Sequence, residues 1–475
     1  MNFNTVAAAF DIFSASFQLG PFGIILQSLI QEVLEEFGLQ KTRKGTILTP
    51  LIAVWFVLAI SIRRDLNYAQ TLNWMVSGFR WVQKILPPCA TFVKDGALSH
   101  ARVRLGLDLF KRLFAKLVEK CNVLKPDFHG LSTVLFDGTY GSMPDSDENV
   151  NKFGKPSSRE GVAAFPQTRI MCLMAASVRI ILDVAYAPYR GKKTGERTLL
   201  QLIVDRVSRT DLLFIMDAGL YAFNLVQTFA QREQFFIIKV PSHVNLQFLK
   251  RLSDGSFMAR ITDKIEDLDK PRTRTGRKRW KTVSIMVRAI RIQIPGFRPF
   301  VLITNIMDPD ISAREIGLHY HKRWDIEIAY DEIKTHQCAT LRGYAPTTFR
   351  SKRPDLVEQE LYAILIMYNA TRLIIAQAAE ECGADPQSIS FLDSLHHIIE
   401  SAPLMAAEDE KEMQFSFAYL LEVISRSEIE RPRRHRINPR VIKTKMSKFE
   451  RKKPHHKSEI RDIENDMKII HCQNE

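Results

Sequence analysis

ERTLLQLIVDRVSRTDLLFIMDAGLYAFNLVQTFAQREQFFIIKV, residues 196–240, changes period three times. The first fourteen residues have helical spacing. LLFIM (212–216) is a compact apolar run that stops at Asp217-Ala218-Gly219. A helix is predicted over 221–232 and a strand over 234–240, QFFIIKV. The same grammar holds upstream. LSTVLF (131–136) has β-branched members and is predicted to end as a strand at Asp137-Gly138-Thr139. A polar loop (141–160) follows, then two strand-like segments, TRIMCLMAA (168–176) and RIILDVAYAPY (179–189). Strands alternating with helices indicate an α/β core with a partly parallel sheet. In such sheets ligands gather at the carboxyl ends of strands. Asp137 and Asp217 both stand there.

The flanks differ in kind. Residues 1–125 read as an all-α domain, with helices predicted at 22–37, 50–63, 66–78 and 100–119. Its Lys41, Arg43, Lys44, Arg63, Arg64, Arg102 and Arg104 suit DNA contact; for each, a solvated surface position is the alternative. Residues 241–305 interrupt the alternation with strand-like pieces and a basic run, KPRTRTGRKRWK (270–281), read as a β-rich insertion. An apolar helix is predicted over 356–380. The domains are therefore 1–125, 126–380 with the insertion, and 381–475, a helical region with a basic tail. Residues 431–457 hold 12 Lys or Arg against one Glu, a net of +11 out of +14 for the 475-residue chain. That balance favours a polyanion such as nucleic acid, and the tail reads as an arm that tracks phosphates. PLIAVWFVLAI (50–60) is shorter than the roughly 20 residues that span a bilayer, so no membrane segment is expected. The six cysteines are scattered, with no CxxC pair, and imply reduced thiols in a cytoplasmic protein rather than disulfides or zinc.

YHKRWDIEIAYDEIK (320–334) is predicted to be one amphipathic helix. At about 100° per residue from Tyr320, Arg323 falls at about 300°, Glu327 at about 340° and Lys334 at about 320°. Ile326, Ala329 and Ile333 fall at about 180° to 240° and would make the core-facing side. A carboxylate thus shares a stripe with three groups that bind phosphate. Arg323 and Glu327 as a solvated i,i+4 ion pair is the plainer reading. Asp331, at about 20°, is a geometric rival to Glu327. Trp324 is expected to pack on the flank, and His319 and His321 to be incidental. Three carboxylates, Asp137, Asp217 and Glu327, could share two metal ions about 4 Å apart, with hard oxygen ligands favouring Mg²⁺ or Mn²⁺. An Asp near Gly at a strand end is otherwise a turn former.

The spacing Tyr320-x2-Arg323-x3-Glu327-x6-Lys334 resembles the YREK signature of bacterial insertion-sequence DDE transposases, in the family named after insertion sequence four. LFDGTYGSMPDSDENVNKFGKP (135–156) and FIMDAGLY (214–221) resemble its two aspartate segments. LEEFGLQKTRKG and LSHARVRLG resemble its N-terminal domain. Residues 350–372 and 438–453 resemble its C-terminal region. The resemblance implies a ribonuclease H-like catalytic core with the β-rich insertion. It implies that Asp137, Asp217 and Glu327 form the DDE triad on Mg²⁺, with Mn²⁺ as a substitute, and that Tyr320, Arg323 and Lys334 contact DNA. It implies cleavage at element ends and strand transfer into target DNA by a homodimer in a synaptic complex. Some relatives stack a flipped base on an aromatic of the insertion; Trp280 and Phe300 are the candidates here, with core packing as their alternative role. Two other readings share these residues: a DNA-binding descendant that no longer cuts, and a nuclease that cuts without joining.

Overall fold

The computed structural model describes residues 17–40, 48–78, 95–158, 161–267, 278–295, 298–338, 347–429, 436–437, 459–460 and 463–470. Most of the basic tail, residues 270–277 of the insertion's basic run, and Lys41, Arg43 and Lys44 lie outside them. In chain order the elements are α1 (Pro21–Glu36), α2 (Pro50–Ile62), α3 (Tyr68–Met75), α4 (Asp95–Leu105), α5 (Asp108–Cys121), β1 (Ser132–Ser142), α6 (Asp147–Phe153), β2 (Gln167–Ala175) and β3 (Ile180–Pro188). Then come α7 (Glu196–Val204), β4 (Leu212–Met216), α8 (Phe223–Gln231), β5 (Phe235–Val240), β6 (Gln247–Arg251), β7 (Phe257–Glu266), β8 (Trp280–Gln293) and β9 (Phe300–Thr304). After them come α9 (Ala313–Tyr320), α10 (Trp324–Asp331), α11 (Pro354–Cys382), α12 (Phe391–Met405) and α13 (Glu410–Ser425), and a few elements of two to four residues follow. The fold is mixed α/β with a central sheet and a helical N-terminal region.

The chain divides into two compact units. The first comprises 1–125, 138–204 and 326–428; the second comprises 126–137, 205–325 and 429–475. The first unit is built on α11. Twenty of its residues are buried, and α2, α5, α12 and α13 pack against it. Helix α2 is apolar all round, and every residue from Leu51 to Ile62 is buried. A helix without a polar face needs cover on all sides. Each such Leu or Ile contributes about 1.5–3 kcal/mol by leaving water. Thr49 caps α2 by accepting the Ile52 N–H at 3.3 Å. Helix α11 is long and apolar enough to cross a membrane by composition, yet its most apolar window is 83% buried within the protein, as befits a core helix. It starts at Pro354 and stops at Gly383, whose φ of 69° is open to glycine at little steric cost. The expected single helix over 100–119 is two helices, α4 and α5, parted at Gly106, where φ is +73°.

In the second unit the strands run β1–β4–β5–β9–β8–β7–β6. The β1–β4 and β4–β5 pairs are parallel, and the pairs beyond β5 are antiparallel. The β-rich insertion therefore continues the sheet, because β9 pairs with β5 through Val301↔Val240 to Thr304↔Ile237. Strand β4 is buried along its whole length, the pattern of a parallel strand covered on both faces.

Candidate functional site

Parallel register brings the first two carboxylates together. Strand β1 pairs with β4 from Ser132↔Leu212 to Leu135↔Ile215. Two residues beyond the last of these pairs stand Asp137, still within β1, and Asp217, the residue that follows β4. They are neighbours at the carboxyl end of the parallel pair, both half-buried. Asp217 opens a 3-10 turn, Ala218–Leu220, but its side chain makes no capping hydrogen bond. The turn closes instead through the Asp217 carbonyl, which accepts the Leu220 N–H at 3.1 Å. The carboxylate is therefore not employed as a turn former. Asp137 corrects the expectation of a strand ending there: β1 continues to Ser142, so this aspartate sits within a strand.

Helix α9 carries Tyr320 to the same place. Ser312 and Glu315 form a capping box at its start. Arg288, buried in β8, holds Asp254, and Asp254 accepts the Ala313 N–H at 2.6 Å. At the other end Lys322 reaches Asp127 at 2.7 Å, and Asp127 also accepts the Thr133 hydroxyl at 2.7 Å. His319, buried, meets Thr133 Oγ1 at 2.6 Å and packs on Phe128. Burial pushes the His319 imidazole down to about 4, so it is neutral near pH 7. These contacts fasten α9 to the start of β1. Tyr320 is only 7% exposed, and its hydroxyl has no hydrogen bond of good geometry. Burial raises its phenol above the usual range; the Arg323 charge opposes that rise and the Asp217 carboxylate adds to it. Tyr320 thus stands between Asp217 and Arg323 with an incompletely matched donor. Arg323 lies 5.0 Å over the Trp324 ring. Trp324 is 46% exposed, which corrects the expectation that it packs on the flank.

Residues 320–337 are not one α-helix. Tyr320 ends α9, His321–Arg323 form a 3-10 turn, α10 follows, and Glu332–Gln337 form a π-helix. The 100° stripe holds only piecewise, because 3-10 and π turns advance by different angles. The apolar side is as expected: Ile326, Ala329, Tyr330 and Ile333 are buried. Glu327 and Asp331 are both half-buried on α10. Lys334 Nζ donates to Thr139 Oγ1, two residues beyond Asp137 along β1. Glu327, Lys334 and Thr139 belong to the first unit; Asp137, Asp217, Tyr320 and Arg323 belong to the second. Among the described residues, no three His, Cys, Asp or Glu side chains converge as a ready metal cluster. The donor set at the paired aspartates nonetheless suits a hard cation. Two adjacent carboxylates repel unless a cation offsets them, and an underused buried phenol beside them can bond a water or phosphate oxygen.

Two of the N-terminal arginines are structural. Arg102 is fully buried and donates to Gln359 Oε1 at 3.0 Å and the Leu356 carbonyl at 3.1 Å. Arg64 is 7% exposed and donates to the Thr347 carbonyl at 3.1 Å. Neither is on a surface open to DNA. Arg63 pairs with Asp65 at 2.8 Å and lies over Trp74, while Arg104 is exposed.

Comparison with known proteins gives a consistent result. Residues 128–370 match the family described as "Transposase DDE domain", and residues 23–115 match "Insertion element 4 transposase N-terminal". The chain is 27% identical over 376 residues to transposase InsG of insertion sequence element IS4 from Escherichia coli K12, spanning 77% of this chain and 78% of that protein. It is 30% identical over 134 residues to putative transposase InsZ of the same organism, 27% of this chain and 45% of that one. A solved piggyBac transposase synaptic complex with hairpin DNA aligns over 85% of each chain at 8% identity, with a TM-score of 0.41.

Proposed function

Since this chain belongs to the DDE transposase family, we propose that Asp137, Asp217 and Glu327 are the carboxylates that hold its metal ions. The protein is a transposase, an enzyme that cleaves DNA and transfers strands. DNA is its partner, and enzymes of this family generally use divalent metal ions. The finer reading is ours: the core is ribonuclease H-like, the ion is Mg²⁺ with Mn²⁺ as a substitute, and the DNA carries the element's inverted-repeat ends. The metal would polarise the phosphodiester and lower the pKa of an attacking water or 3′-hydroxyl.

The observation that carries this reading is that Asp137 and Asp217 stand equally far beyond the last paired residues of the parallel β1–β4 register, with the Tyr320 phenol beside Asp217. The carboxylate oxygens of Asp137, Asp217 and Glu327 would hold the ion as hard donors. Arg323 offers a fork to a phosphate oxygen and Lys334 a point charge. The Tyr320 hydroxyl supplies one neutral donor. Trp280, 60% exposed at the end of β8, supports a base-stacking role better than Phe300, which lies against Tyr320 and under Lys239. The basic tail adds phosphate contacts, the working form is a homodimer in a synaptic complex, and the protein works at the bacterial nucleoid in the cytoplasm.

The test is incubation of purified protein with Mg²⁺ and a fragment bearing the element's own ends, beside Glu327→Ala. Cleavage at the ends by the wild type, lost in the variant while end binding persists, is the expected result. Equal cleavage by both proteins would remove Glu327 from the triad.

A further inference from the structure

The π-helix Glu332–Gln337, which holds the last residue of the signature, Lys334, has a visible cause. Its wide turn is closed by the Cys338 N–H donating to the Ile333 carbonyl at 2.9 Å, an i→i+5 bond. Wide turns of this kind cost helix geometry and persist where side chains hold them. Here Glu332 opens the turn, and it is 5% exposed. Its carboxylate accepts Arg179 Nη1 at 3.2 Å, Arg372 Nε at 3.0 Å and the Tyr368 hydroxyl at 2.9 Å. Arg372 Nη2 closes the fork on the same carboxylate. At the other end of the turn, Gln337 Nε2 donates to the Ile364 carbonyl at 3.0 Å. Both ends are thus pinned to α11. Arg179 comes from the β2–β3 turn with φ of 58°, a left-handed backbone that a non-glycine residue rarely adopts.

We propose that Glu332, clamped by Arg179, Arg372 and Tyr368, is a positioning residue for transposition: it holds the π turn that sets where Lys334 stands relative to Glu327. None of the four need touch DNA. Lys334 is the third residue of the π turn, and its ammonium already rests on Thr139, near Asp137 in the chain. Collapse of the turn to α geometry would rotate Lys334 away from that hydroxyl. The inference rests on the roles proposed for Glu327 and Lys334.

The test is a double-variant cycle on the full-length protein, read by single-turnover cleavage of end-bearing DNA at saturating protein. End binding and thermal melting are measured alongside. Lys334→Ala comes first: cleavage unchanged by this variant would overturn the role given to Lys334 and, with it, this inference. With that role standing, Glu332→Gln should slow cleavage on the order of tenfold while end binding holds, and should slow it no further in the Lys334→Ala background. An additive loss that follows the melting temperature would mean that Glu332 only stabilises the fold, and would overturn the proposal. If Glu332→Gln does not fold, Tyr368→Phe, which removes one donor and keeps the ring, carries the same cycle with the same two outcomes.

Discussion

The helical run Ala313–Gln337 and helix α11 are both long and both apolar on their buried sides, yet their backbones differ. The first passes from α to 3-10 to α to π. The second is α throughout its 29 residues. The irregular run carries every residue of the Tyr-Arg-Glu-Lys signature. The regular one supplies the anchors that hold the π turn open. Helical regularity maximises hydrogen bonds and packing. Departures from it aim particular side chains, and neighbouring elements hold the distorted turn in place. The contrast can be broken from either side.

The largest effect is expected on the irregular side. Glu327→Ala should lower end cleavage by at least about 10³-fold with binding retained, because losing the metal ligand proposed there removes charge stabilisation that nothing else replaces. The measurement is a cleavage time course at saturating protein. On the regular side, Arg372→Met leaves Glu332 with half its clamp. Breaking a buried pair in this way costs about 3–5 kcal/mol, read from urea unfolding midpoints. The exposed Arg426–Glu422 pair on α13 is the control, and Arg426→Ala should leave the midpoint unchanged.

The next expectation concerns acid. The folded His319 imidazole titrates at about 4, below its ordinary 6.5, so between those values the unfolded chain binds more protons. Its contribution to stability is present above about pH 6.5 and is lost as pH falls toward 4. His319→Phe should flatten the slope of unfolding free energy against pH in that window. Asp127, held below the usual carboxylate range by Lys322 and the Thr133 hydroxyl despite the opposing effect of burial, keeps its contribution until lower pH. A slope unchanged by the substitution would place the titrating group elsewhere. The smallest effect is predicted for Arg323→Ala: the slope of log K for DNA against log salt should fall by roughly one phosphate contact.

Much of the architecture was legible from local pattern. The strands at 212–216 and 235–240 and the helices α1, α2 and α11 lie where periodicity puts them, because each buries a face whose residues are close in sequence. The insertion was legible as β-rich but not as part of the same sheet, since the β5–β9 pairing joins strands about 60 residues apart in sequence, with β6, β7 and β8 between them. Arg64 and Arg102 were misread as open to DNA. An arginine looks solvated by default until Gln359, Leu356 and Thr347, far along the chain, supply its acceptors. Trp324 was misread the other way. An aromatic on an amphipathic segment looks like packing, yet Trp324 is 46% exposed.

The spacing of Tyr320, Arg323, Glu327 and Lys334, and the aspartates placed after β-rich runs, are written in the order of residues. They identify the family without coordinates, because chemistry repeated at set intervals is a property of the chain itself. The placement of Asp137 and Asp217 equally far beyond the β1–β4 pairing, the buried phenol of Tyr320 and the clamp on Glu332 are decided by tertiary structure alone. Each depends on which distant groups share a desolvated space, where the energy of a charge or hydroxyl is set by its partners rather than by its neighbours in sequence.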